Sequence, residues 1–202
     1  MTHAALRKQV QRGLLKNNPV STFIPLVIRN INIFGQCLEV SFENLKYGPK
    51  KQHQLIAKHF QFSTKTTHGE QSLATNILIY DPTFIKLISP HVDRIFIDAT
   101  YKVFPKLNVR RGQLLTIMAE ITNNNEIDKA VPFMWVLMTN RTTDCYQQIF
   151  RFMSDTFTDF KPKYSMSDHE LALRNAIKLV FPEIVTNTCF FHFSQEGLLW
   201  IM

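Results

Sequence analysis

Asp98 closes the apolar run Ile95-Phe96-Ile97, and Asp168 closes the short strand-like run Lys163 to Ser167. A carboxylate at the exit of a buried strand is costly unless it is paired or holds a metal. Two carboxylates brought to one point repel each other. A hard divalent cation, Mg²⁺ or Mn²⁺, relieves that repulsion through oxygen ligands. Two such ions, about 3.5–4 Å apart, activate a water or hydroxyl and stabilise the leaving oxygen in phosphodiester transfer. Each acid also has a structural reading. Asp98 could end its strand as a turn residue. In Ser167-Asp168-His169-Glu170, Ser167 and Glu170 form a capping-box pattern that sets Asp168 in the first turn of a helix. Taken as a pair, the metal reading moves ahead. Cys189 and His192 have zinc-like spacing, but no second pair accompanies them, and a buried cysteine beside a hydrogen-bonded histidine is the commoner outcome.

Positioning two acids 70 residues apart requires a sheet whose strands end at one edge. Ile77 to Tyr80 reads as a strand stopped by Asp81-Pro82, with Asp81 as cap of a short helix over 82–89. Arg94–Asp98, Gln113–Ile121 and Val131–Met138 follow as strands, joined by polar links that favour an antiparallel meander. Thr142-Thr143-Asp144 caps a helix whose Tyr146, Ile149, Phe150, Met153 and Phe157 fall on one face. Then come the strand Lys163–Ser167, a helix over Leu171–Leu179 ended by Phe181-Pro182, and a last strand over Val185–Phe191. From residue 94 onward the order βββαβαβ is the ribonuclease-H-like arrangement, an α/β fold built on a mixed sheet. Its first and fourth strands lie side by side and parallel, so Asp98 and Asp168 face one crevice.

Upstream the pattern is looser. Residues 4–16 fit a short basic helix, with Leu6, Val10 and Leu14 recurring every four residues. Val20–Phe34 and Cys37–Phe42 are apolar enough for strands, Gly48-Pro49 marks a turn or linker, and Ser63–Gln71 reads as a loop. The chain therefore divides into a basic extension over 1–70 and a core over 71–202. Residues 1–70 carry ten Lys and Arg against three Asp and Glu, so the whole net charge of +7 lies there. A basic arm ahead of a neutral globule suits either a polyanion, through Arg7, Lys8, Arg12 and Lys16, or a solvated surface. Three widely spaced cysteines make no disulfide framework, and no run approaches a membrane span or a signal peptide. These features read as soluble and intracellular.

Several blocks together resemble the MULE domain, the transposase domain of Mutator-like elements. Asp98-Ala99-Thr100-Tyr101-Lys102 with Pro105 and Gln113-Leu114-Leu115-Thr116 is similar to its opening block. Val131-Pro132 through Leu137 with Tyr146 looks like the next. Ser167 to Glu170, Asn175-Ala176, Phe181-Pro182 and Cys189 to Phe193 look like the closing ones. The match runs over about residues 73–195, and residues 4–25 look like the linker that follows a FLYWCH-type zinc finger in related proteins. The resemblance implies a ribonuclease-H-like fold, DNA as partner, a second copy of the chain as a further one, a nuclear location, and DNA cutting and strand transfer by an Asp-Asp-Glu triad with two Mg²⁺ or Mn²⁺ ions. Asp98 matches the first acid, Asp168 the second, and Cys189 with His192 the Cys-to-His motif. The family's Glu lies on a helix well beyond that motif, and Glu196 comes too early to match it. The expectation is therefore a C-terminally truncated, transposon-derived core, inactive as this chain. A non-catalytic DNA- or protein-binding module of the same descent is the alternative, and a piece of a longer product is a third reading.

Overall fold

The computed structural model describes residues 35–36, 38–39, 46–47, 53–65, 69–101, 103–105, 112–123 and 126–189, with the side chains of 47 and 122–129 left aside. The expected basic helix over 4–16, the residues 20–34, Gly48-Pro49, His192 and Glu196 fall outside them. Leu38 and Glu39, assigned above to a strand, are helical.

The described strands are β1 (Lys46–Tyr47), β2 (His53–Gln54), β3 (Ile56–Lys65), β4 (Gln71–Tyr80), β5 (Val92–Thr100), β6 (Gln113–Asn123), β7 (Glu126–Met138), β8 (Tyr164–Ser167) and β9 (Val185–Thr188). Three α-helices join them: α1 (Pro82–Ile88), α2 (Thr143–Thr156) and α3 (Leu171–Val180). β1 and β2 form a small ribbon, and the other seven strands form one mixed sheet in the order β3-β4-β7-β6-β5-β8-β9. The meander β5-β6-β7 is antiparallel, whereas β8 and β9 run parallel to β5. The element order expected from residue 94 onward is the order found.

Local signals account for several boundaries. Asp81 caps α1, its Oδ1 accepting from the amides of Thr83 and Phe84 at 2.8 and 3.0 Å, with Pro82 at the first helical position. Its other oxygen lies 3.0 Å from His53 Nδ1, which ties β2 to the start of the helix. Thr142 caps α2, its hydroxyl accepting from the amide of Cys145. Two further expectations fail. Ser63–Gln71 is not a loop: β3 runs to Lys65 and pairs with β4 over ten residues, so the sheet reaches upstream to Ile56. Only residues 66–70 connect the two strands, with Gly69 at φ +81°, a conformation that costs glycine little. The capping box also fails. Ser167 remains in β8, held by pairing with Thr188 of β9, and α3 starts at Leu171 after Glu170. Asp168 thus precedes the helix instead of sitting in its first turn.

The two faces of the sheet differ. One packs Ala74, Leu78, Ile95, Ile97, Leu115, Ile117, Met134 and Val136 against Tyr146, Ile149, Phe150, Met153, Leu173, Ala176 and Ile177 of α2 and α3. Burying about 25 cal/mol for each Å² of apolar surface makes this face the main source of stability. The opposite face carries a small cluster of Leu38, Ile77 and Leu137, with Leu114 and Phe104 packed against it. Asp98 alternates with Ile97 and so belongs to this second face, where it is exposed.

Candidate active site

β5 and β8 run parallel with Arg94 opposite Tyr164, Ile95 opposite Ser165 and Phe96 opposite Met166. The offset is 70 throughout. Continued past Phe96 and Met166, the same offset would match Asp98 of β5 to Asp168, which follows directly on the end of β8 at Ser167. Asp98 in turn pairs with Thr116 of β6, Thr116 with Trp135 of β7, and Trp135 with Ile79 of β4. The row places a carboxylate, a hydroxyl and an indole side by side on the sheet face that α2 and α3 do not cover. Both acids lie near the carboxyl ends of these neighbouring parallel strands, the region where open α/β sheets bind ligands.

Asp168 is oriented by its own backbone turn, its Oδ1 accepting from the amide of Glu170 at 3.2 Å. Ser167 donates its hydroxyl to the Asp168 carbonyl at 3.1 Å, which braces the same turn. Beneath it lies a chain of hydrogen bonds that sequence reading did not foresee. Gln113, fully buried at the start of β6, donates to the Tyr146 hydroxyl at 2.6 Å, and that hydroxyl donates to Glu170 Oε2 at 2.8 Å. β6 and α2 are thereby joined to the residue that holds Asp168. Burial pushes the Glu170 carboxyl above the ordinary carboxylate range. The Tyr146 hydrogen bond pulls it back, the Asp168 charge adds to the rise, and Arg141 opposes it. Burial likewise pushes the Tyr146 phenol well up, aided by Glu170, so it stays protonated and remains a donor.

The remaining residues singled out from sequence are less informative. Cys189 is half-buried at the end of β9, carries a free thiol, and donates its amide to the Ser167 carbonyl at 2.7 Å. That bond continues the β8–β9 pairing to the edge of the site. Its partner His192, and the basic Arg7, Lys8, Arg12 and Lys16, lie outside the described residues. Among the described residues no group of three His, Cys, Asp or Glu side chains is placed to hold a metal. The pair Asp98 and Asp168 offers hard carboxylate oxygens of the kind Mg²⁺ and Mn²⁺ prefer, so the donor set fits such an ion as a partial site. Among the described residues no helix is long and apolar enough to cross a membrane.

A search of curated proteins finds none that matches the chain. The sequence model of the MULE transposase domain matches residues 94–196, just over half of the chain and the span from β5 to beyond β9. Both aspartates, their parallel strands and the Tyr146–Glu170 bond fall inside that match. The chain belongs to the MULE transposase domain family.

Proposed function

We propose that this chain is a DNA-processing core of transposase descent, of the Asp-Asp-Glu type, in which Asp98 and Asp168 are the first two acids. The observation that supports the reading is the parallel register of β5 and β8, whose offset of 70, continued past Phe96 and Met166, matches Asp98 to Asp168. The order β7-β6-β5-β8-β9, with its antiparallel first three strands and helical crossovers, supports a ribonuclease-H-like topology. The two carboxylates would hold Mg²⁺ or Mn²⁺, which when bound supplies Lewis-acid stabilisation of charge on a phosphodiester. This chain's own part is to fix Asp168 through the Glu170 amide, Tyr146 and Gln113, so that its free oxygen is aimed before any ion arrives.

Among the described residues no third metal-ligating side chain joins the two acids. Glu196 is followed by Gly197, which disfavours a helix that would aim it inward. The 202 residues by themselves therefore cut DNA slowly or not at all, since loss of one metal-holding carboxylate costs orders of magnitude in phosphoryl transfer. DNA is the partner, with the basic residues 1–70 supplying phosphate contacts. A FLYWCH-associated origin, a nuclear location and self-association complete the proposal.

The test is purified chain with supercoiled plasmid and Mn²⁺. Retained, salt-sensitive binding with negligible nicking is the expected result. Nicking that survives purification and vanishes in Glu196→Gln would show a complete triad within these residues and overturn the inactive reading.

A further inference from the structure

Two exposed side chains just beyond the ends of β5 and β7 are used by none of the roles above. Thr100 at the end of β5 pairs with Leu114 near the start of β6, and Leu114 pairs with Leu137 near the end of β7. The residues that follow β5 and β7 therefore emerge at the same edge of the sheet. Tyr101 and Arg141 meet there. Arg141 Nη1 donates to the Tyr101 hydroxyl at 2.7 Å, and the guanidinium carbon stands 5.2 Å from the centre of the Tyr101 ring. A hydrogen bond to the rim and a cation over the face of one ring fix the guanidinium plane better than either alone.

The backbone beneath Arg141 is held on both sides. Thr139 accepts from the Thr75 amide at 2.9 Å, Asn140 donates to Ser72 at 3.0 Å, and the Thr142 hydroxyl lies 2.9 Å from that of Thr64. Arg141 is nonetheless exposed, and Tyr101 is 48% exposed. Among the described residues no carboxylate forms an ion pair with Arg141. Its charge is close enough to act on Glu170, whose amide holds Asp168. A guanidinium has five N–H donors, and the bond to Tyr101 uses one of them. What remains is a pre-oriented, solvent-facing cation at the end of the sheet where β5 carries Asp98. A fixed, solvent-facing guanidinium with unused N–H donors gives an approaching phosphodiester a place to bind.

We propose that Arg141, held by Tyr101, is a phosphate-gripping residue that seats one backbone phosphodiester of DNA beside the Asp98–Asp168 crevice. Arg141 contacts the backbone and Tyr101 is its positioning residue. The proposal rests on the DNA reading of the site, and it adds a specific contact that reading does not require.

The experiment uses the full chain in two arms. In the first, fluorescence anisotropy follows a short duplex across a range of salt, for the unaltered chain, Arg141→Ala, Arg141→Lys and Tyr101→Phe. Each phosphate contact contributes about 0.9 to the slope of log K against log salt, so Arg141→Ala should flatten the slope by about one. Arg141→Lys should keep the slope but lose several-fold in affinity, because an ammonium has no planar fork to match the phosphate. Tyr101→Phe should keep the slope with a smaller loss. In the second arm, the Arg141 side-chain N–H signal is followed by NMR while a phosphodiester dinucleotide, and separately inorganic phosphate, is added. A shift with the dinucleotide is expected, and a shift with inorganic phosphate alone would overturn the assignment to a diester. If the duplex binds and Arg141→Ala changes neither affinity nor slope, the grip is overturned and the DNA reading stands. If the duplex fails to bind but the dinucleotide shifts Arg141, the grip stands and the DNA reading falls. Failure in both arms overturns both.

Discussion

Replacing Tyr146 with Phe deletes a single oxygen from the centre of the site's support. Tyr146 is fully buried, so water cannot take the oxygen's place without opening the core. The deletion strands two groups. Glu170 Oε2 loses the donor at 2.8 Å, and Gln113 Nε2 loses the acceptor at 2.6 Å and keeps only a 3.6 Å contact with the Met138 sulfur. Gln113 is already strained in this respect, because its Oε1 is buried with no hydrogen-bond partner. A hydrogen bond to a charged group contributes about 1.5–3 kcal/mol and a neutral one about 1, less the saving from no longer burying the hydroxyl, so the expected loss is about 2–3 kcal/mol. For a chain of this size that corresponds to a melting temperature lower by about 5–10 °C. The hydrogen bond lowers the Glu170 carboxyl, so its removal lets that carboxyl rise further, and the loss should be larger near pH 7.5 than near pH 4.5. Thermal and urea melts of the two proteins at both pH values provide the assay. A loss below about 0.5 kcal/mol at pH 7.5, within the range of an ordinary surface change, would refute the view that this hydroxyl holds the network together.

Glu170→Gln tests the same network by its pH dependence. A carboxyl raised in the folded state gives stability that is full below its unfolded value and is lost as pH rises through the folded one. The glutamine variant, which keeps an acceptor for Tyr146, should therefore gain on the unaltered chain as pH rises from about 4.3 and then level off. Parallel stability curves in urea across pH 4–8 would contradict this. Deleting residues 1–20, which removes Arg7, Lys8, Arg12 and Lys16, should weaken DNA binding and flatten its salt slope by up to about four contacts' worth. An unchanged slope would mark that arm as a solvated surface only.

What the sequence disclosed, and what it hid, follows from the range of the interactions. The Asp81-Pro82 start of α1 and the Thr142 start of α2 are set within three residues by capping, so they are readable from the chain alone. β5 is readable because Ile95 and Ile97 alternate against a buried face. β3 was hidden because its end, Ser63-Thr64-Lys65, is polar. Only Thr64 there is buried, and the strand exists through its ten-residue pairing with β4. Ser167-Asp168-His169-Glu170 carries a capping signal, but pairing with β9 keeps Ser167 extended and moves the helix start downstream. The adjacency of the parallel strands that carry or precede Asp98 and Asp168 could be anticipated from topology, because a helical crossover returns the fourth strand of the meander's sheet beside the first. The link from Gln113 through Tyr146 to Glu170 could not. Its members are 33 and 24 residues apart on three elements, and no local pattern records how those elements pack.

The central claim is that Asp98 and Asp168 act together on one divalent ion, and Mn²⁺ binding tests it most directly. Electron paramagnetic resonance of free Mn²⁺ during titration with the full chain reads occupancy without any need for catalysis. A single weak site is predicted. Asp98→Asn and Asp168→Asn should each weaken that one site about tenfold or more, and the double variant should abolish it, as expected of two ligands to one ion. Binding that survives both substitutions, or a site of unaltered affinity left in either single variant, would contradict the account.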